Sequence, residues 1–379
     1  MAFTMIGEIF TLEQRANMQG LFSGVWGVSA VIGPLIGGFL VDQISWHWVF
    51  YINVIPGLLA VAFVWYAWQG LPRPRPAQSS IDYLGAALLT LGVLGLLLGL
   101  NEMGSPLTWI FLALAALCLV GLYFVERRAP DPILPITLFR DRLFTASILH
   151  GVLSGWAMFG SLNYVPLFVQ AVLGTTATQA GITLTPMSLS WTLASIFGAR
   201  LLLKIGYRTV AWIGMLLLTA GAFLMSRIGV HSSQLQIMVN LGMMGLGMGL
   251  CIPAFLIAVQ SKVRREELGV ATSTIQFSRS IGGAIGVSVL GVFLSVWFSR
   301  RLAAVGIHSG MVSLESLLDP VLGASASLSG PVRDALAVSI ANLFIIAFIV
   351  AALGLAAVFL APGGKVIEQE PVTEEYPDI

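Results

Sequence analysis

Apolar runs of about twenty residues or more alternate along the chain with short polar or charged stretches. A run of about 20 apolar residues is the length an α-helix needs to cross the roughly 30 Å hydrocarbon core of a bilayer. The runs predict ten spans, at about 17–41, 48–70, 82–101, 107–125, 144–171, 180–203, 208–228, 235–260, 270–298 and 336–361. An outer-membrane barrel would instead alternate apolar and polar residues over segments of about 10 residues. The pattern therefore predicts an all-α polytopic membrane protein with about ten transmembrane helices.

Composition agrees with this reading. Hydrophobic residues make up 57% of the 379 and charged residues only 10%, against roughly 25% charged in an ordinary soluble domain. Mean hydropathy is +0.91, and the formal net charge is +1. Such a chain is not a soluble globule, a disordered segment or a nucleic-acid binder with a basic face. The 2 cysteines, Cys118 and Cys251, lie inside apolar runs and are expected to pack as small hydrophobes.

Charge placement sets the expected orientation, because Lys and Arg accumulate on the cytoplasmic side. With the N-terminus inside, the inner segments and helix ends hold Arg15, Arg73, Arg75, Arg127, Arg128, Arg140, Arg142, Arg200, Lys204, Arg208, Lys262, Arg264, Arg265, Arg279 and Lys365, fifteen of the 19 cations. The outer loops hold Arg227, Arg300, Arg301 and Arg333. An even span count then puts both termini in the cytoplasm. The first fifteen residues lack the basic start of a signal peptide, and Glu8 and Glu13 interrupt their apolar stretch. Residues 126–143 are charged and Pro-containing, as a linker between helix groups would be. Residues 299–335 form the longest outer loop, and the acidic tail 363–379 is expected to be disordered.

Within 20–38, Ser29, Gly33 and Gly37 share one helix face, and Ala30, Pro34 and Gly38 form a second small stripe. Small residues let a neighbouring helix approach closely in lipid, and Pro34 removes a backbone hydrogen bond. A tightly packed pair and a bending helix both fit. The stretch resembles the fifth-helix motif of the fourteen-helix drug:proton antiporters of the major facilitator superfamily, the EmrB/QacA type. Gly20, Gly33, Pro34, Gly37 and Gly38 match that motif, with Ser29 in place of one glycine. Trp46, Trp48, Phe50, Tyr51, Ile52, Asn53 and Val54 continue the likeness, with His47 where a basic residue is usual. Asp82 with Gly85, Leu138-Phe139-Arg140, Gln179-Ala180-Gly181 with Pro186, and Gly269-Val270-Ala271-Thr272 before Arg279, Gly282, Gly283 and Gly286 extend it over all but the tail.

The resemblance implies a division into a remnant of the N-terminal bundle (1–70), a two-helix insertion with its linker (71–143), a C-terminal six-helix bundle (144–362) and the tail (363–379). Against the family pattern, the first three helices are expected to be missing. The segment Ala199–Arg208 follows the basic loop motif of the family, with Arg200, Lys204, Gly206 and Arg208 in place and Leu203 where an Asp is usual. It is read as a cytoplasmic loop, either locking helices or simply anchoring topology. Arg279 has three open readings: it pairs with substrate, pairs with a partner helix, or snorkels to the inner surface.

Polar groups inside the membrane are the default place to look for function. No carboxylate lies deep in any expected span; Asp82 and Glu102 sit at helix ends. His150 is the best titratable candidate, with ordinary hydrogen-bonded packing as its alternative. The superfamily arrangement implies that the spans at about 144–171 and 235–260 face a central cavity. They would offer His150, Trp156, Asn163 and Tyr164 from the first, and Asn240, Met244, Met248 and Phe255 from the second. Aromatic and Met side chains suit variable hydrophobic or cationic ligands, although they also pack ordinary cores.

An enzyme is not expected. The four histidines show no metal-ligand spacing with each other or with Cys, and there is neither a Gly-x-Ser-x-Gly elbow nor a Walker loop. No cofactor is called for. The expectation is proton-coupled efflux of hydrophobic or cationic small molecules through the cell inner membrane. Its partners would be the substrate, protons (by resemblance) and the lipid bilayer; a periplasmic adaptor is left open. Export of one endogenous metabolite, or a truncated non-transporting membrane protein, are the alternatives.

Overall fold

In a bilayer no water is available to satisfy backbone amides, so an apolar run closes its hydrogen bonds within itself as a helix. The computed structural model describes Ile6, Phe10 and residues 12–45, 47–67, 82–307 and 330–363, and every regular element among them is helical. The long helices are α1 (Leu12–Gln43), α3 (Val54–Ala67), α4 (Tyr83–Asn101), α5 (Leu107–Glu126), α6 (Arg142–Leu167), α7 (Ala177–Ile205), α8 (Tyr207–Met225), α9 (Gln234–Lys262), α10 (Leu268–Ala304) and α11 (Gly330–Val358). A single turn, α2 (Trp48–Tyr51), precedes α3. Among the described residues, 9 helices are long and apolar enough to cross a membrane. The tenth expected span, about 17–41, falls on α1, which runs unbroken through Pro34 but has several side chains outside the described set. Trp46, most of the acidic tail and most of the outer loop 299–335 also lie outside it.

Side-chain caps set several helix starts. Asp82 accepts from the Gly85 amide at 2.7 Å to open α4. Thr176 and Gln179 form a reciprocal capping box on α7, with Thr176 Oγ1 accepting from the Gln179 amide at 3.2 Å. Asp141 opens α6 by accepting from the amides of Leu143 (2.7 Å) and Phe144 (3.1 Å), and it also pairs with Lys262 at the end of α9. Burial by itself would raise the Asp141 carboxyl; Lys262 and the two amides outweigh it and hold it below the usual carboxylate range.

The helices pack through glycine seams. On α4, a Cβ at Gly95 would stand 3.0 Å from the Phe111 carbonyl of α5. Between α8 and α9, a Cβ at Gly214 would meet the Gly247 carbonyl at 2.7 Å. Helices α6 and α10 interlock through Gly151 and Gly155 on one side and Gly282, Gly283 and Gly286 on the other. Such positions bring two backbones together with nothing between them, which is how helices gain contact in lipid. The resulting core runs through α6–α11 and includes Phe144, Met215, Leu218, Ile237, Leu241, Met244 and Phe344. At the end of α6 the ladder widens into a π turn, Phe168–Val172, two residues after Pro166 interrupts it. Helix α3 differs from the other long helices, since none of its described side chains is buried and Phe63, Trp65 and Tyr66 are 71%, 85% and 88% exposed.

Candidate functional site

Helix α1 lies against α7. A Cβ at Gly27 would meet Thr192 Oγ1 at 2.6 Å, and Ser23 donates to Ser195 Oγ at 2.7 Å. Where α1 and α7 meet α9 and α10, a cavity of about 360 Å³ remains. Phe22, Met187, Trp191, Ile252 and Leu256 give it apolar and aromatic walls. Ser188, Thr192 and Ser195 recur at helical spacing on α7 and add a hydroxyl stripe, with Thr192 already donating to the Ser188 carbonyl at 3.0 Å. Gln276 and Arg279, one turn apart on α10, complete the wall. Pro253 of α9 also lines it, and a proline there leaves one carbonyl of the preceding turn without its helical donor. Among the described residues no carboxylate borders the cavity.

The eight residues singled out for substrate contact lie elsewhere. His150 is 3% exposed and stacks on Phe255 with ring centroids 4.6 Å apart. Trp156 packs over Gly286, and Tyr164 donates to the Val287 carbonyl at 2.8 Å, so both belong to the α6–α10 seam. Asn163 is exposed and donates to the Phe159 carbonyl of its own helix at 2.8 Å. Asn240, Met244 and Met248 are buried on α9. Helices α6 and α9 do reach the cavity, but through Leu162 and through Ile252, Pro253 and Leu256. The residues overlooked in the sequence are Phe22, Ser23, Trp191, Gln276 and the Ser188/Thr192/Ser195 stripe. That stripe carried a usable signal, three hydroxyls at i, i+4 and i+7 in an apolar run.

The small-residue motif divides along α1. A Cβ at Gly20 would touch Ile196 Cγ1 at 3.4 Å, and Ser29 borders the cavity. At Gly33 and Gly37 a Cβ would meet nothing within 4 Å. Of Pro34 and Gly38 only the helical backbone is described. Close contact on α1 is thus made at Gly20 and Gly27, toward α7.

The expected cytoplasmic group also divides. Arg200 donates to Asn17 Oδ1 of α1 at 3.5 Å. Lys204 is exposed, while Gly206 joins α7 to α8 at φ +85°, a conformation that suits only glycine. Arg208 donates to the Phe359 carbonyl at 3.5 Å and lies over that ring, tying α8 to the end of α11. Arg279 lies apart from them. It sits inside α10, well past Leu268, and faces the cavity.

The profile of the Major Facilitator Superfamily matches residues 1–287. "Multidrug transporter protein MdtP" of Bacillus subtilis (strain 168) is 40% identical over 301 residues, covering 78% of this chain and 55% of that protein. "Multidrug resistance protein 3" of the same organism is 32% identical over 307 residues, covering 79% of this chain and 60% of its own length. The chain therefore spans 55–60% of these relatives. A crystal structure of a bacterial homolog to the human lysosomal transporter Spinster, inward-facing and occupied, aligns over 95% of this chain and 91% of its own, at 14% identity and a TM-score of 0.48.

Proposed function

The chain belongs to the Major Facilitator Superfamily, and on that premise we propose that it exports hydrophobic small molecules by alternating access, driven by protons. The observation that carries the reading is the cavity of about 360 Å³ between α1, α7, α9 and α10. Its volume is in the range of sites for small organic ligands, and its aromatic and apolar walls with a few polar groups are of the kind such sites use. The names of the two Bacillus relatives point the same way. Proton drive, an inner-membrane location, cytoplasmic termini and descent from the fourteen-helix EmrB/QacA type rest on the sequence motifs and the charge bias. So does the division at residues 70, 143 and 362.

The packing supports a rocking mechanism. Helix α1 touches α7 through small and hydroxyl side chains, which allow close approach without bulky interlocking. Pro186 in α7 and Pro253 in α9 each remove one ladder hydrogen bond beside the cavity. Rocking of α1 against the bundle would open the cavity on one side and close it on the other.

The test is efflux of a neutral hydrophobic dye, N-phenyl-1-naphthylamine, from cells lacking their own pumps. The full chain should lower dye retention, and collapse of the proton gradient should abolish the effect. Trp191→Ala should cut efflux several-fold while membrane insertion stays normal, because a large aromatic wall is lost. Retention equal to that of empty cells would overturn the reading; efflux indifferent to the gradient would remove proton drive.

A further inference from the structure

We propose that Arg279 and Gln276 form a recognition site for the anionic group of an otherwise apolar ligand, a sulfonate or carboxylate held against the α10 wall of the cavity. The proposal rests on the cavity being the substrate site, and it adds a charge class to it.

Depth is the first observation. The Arg279 carbonyl is the group that a Cβ at Gly155 would strike. Gly155 is thirteen residues into α6 from Arg142, roughly 20 Å along the helix. On α9 the same cavity reaches Ile252, ten residues before the terminal Lys262, or about 15 Å. Both distances place the Arg279 region well inside the two helices, away from their ends.

The second observation is the missing counter-charge. Among the described residues, no carboxylate forms an ion pair with Arg279 and no carboxylate borders the cavity. The Arg279 side chain is nonetheless half-buried. A buried cation in an apolar setting is costly unless something anionic meets it. One turn away, Gln276 Oε1 is buried and has no hydrogen-bond partner. Rotated about its terminal bond, that carboxamide offers N–H donors to the same point as the guanidinium. Among the described residues, a cation without a counter-charge and a carboxamide oxygen without a donor face one space, the pattern of a site completed by a ligand.

The rest of the wall fits the body of such a ligand. Trp191 and Phe22 provide aromatic faces, and Ser188 and Ser195 provide hydroxyls between the two ends. A cationic ligand would instead meet the like charge of Arg279.

The test compares two probes that share one aromatic body. 8-Anilino-1-naphthalenesulfonate carries a sulfonate; N-phenyl-1-naphthylamine is the same molecule without it. Binding to the full chain in lipid nanodiscs is read by energy transfer from the protein tryptophans, with empty discs as the blank. The wild type should bind the sulfonate several-fold more tightly than the neutral probe. Arg279→Gln should weaken the sulfonate roughly tenfold, as expected for loss of a charge-assisted hydrogen bond, and affect the neutral probe far less. Arg279→Lys, which keeps the charge, should recover part of that loss, and Gln276→Leu should lose a smaller share. Equal binding of the two probes by the wild type overturns the proposal, as does a sulfonate affinity indifferent to Arg279→Gln. Parallel loss of both probes in Arg279→Gln and in Arg279→Lys would mean that the guanidinium holds helices together, and also overturns it. If neither probe binds the wild type, the reading of the cavity as the substrate site fails with it.

Discussion

Asp141 does two jobs with one carboxylate, capping α6 and pairing with Lys262 across the α6–α9 junction. Its folded pKa lies below the ordinary value, so its contribution to stability is complete above the unfolded pKa and disappears as pH falls through the folded one. Both partners are more than a third exposed, so solvent screening keeps the ion pair to about 1 kcal/mol or less. Asp141→Asn retains a good cap and loses the pair. Thermal unfolding in detergent should show the variant slightly less stable than the wild type at pH 7, with the gap closing below about pH 4. A gap that does not narrow at all as the pH is lowered would assign the effect to the cap instead. Residue chemistry of this kind was only partly legible in the sequence. Asp141 stands at the boundary of a charged linker and an apolar run, which marks a helix start, but nothing in the string joins it to Lys262, 121 positions away.

Glycines decide how the helices meet, and their effect depends on which way each one faces. At Gly245 an added Cβ would run into the Met187 carbonyl and Ser190 Oγ of α7. Gly245→Leu should therefore force α9 from α7 and destabilise the bundle by about 1–3 kcal/mol or more, seen as a lower unfolding temperature. Gly33→Leu should leave the unfolding temperature of this chain within a degree or two, since its side chain enters open space among the described residues. A large fall in Gly33→Leu would show that a neighbour covers that face of α1. A spacing of four marks Ser29, Gly33 and Gly37 as one stripe but does not say which stripe touches a neighbour. Contact at Gly20 and Gly27 became visible only once α7 was in place, with Ile196 and Thr192 turned toward them. The Gly-rich seam of α10 was more legible, because Gly282, Gly283 and Gly286 crowd a single turn and a half of an otherwise bulky helix.

For the molecule as a whole, the charge bias makes a topological prediction. An impermeant maleimide added to intact cells should label His231→Cys, between α8 and α9, and spare Pro130→Cys, between α5 and α6. Both positions are exposed, whereas the native Cys118 and Cys251 are buried. The reverse pattern would invert the orientation. The sequence by itself determined that the chain is all-helical, that it is built for a bilayer, and where most of its spans lie. Those properties follow from hydropathy summed along a contiguous run, and a sum along the chain needs no knowledge of neighbours. The superfamily was legible too, in short motifs that stay together because each lies within one helix or one turn. Only the tertiary structure decided which side chains line the cavity. The sequence marked His150, Phe255, Met244 and Met248 on α6 and α9; the fold turned them into the core and brought Trp191, the Ser188/Thr192/Ser195 stripe, Gln276 and Arg279 to the wall instead. The reason is rotational: every helix here is apolar on nearly all sides, so its own pattern does not fix its angle about its axis. That angle is set by where the glycines of one helix admit the backbone of the next.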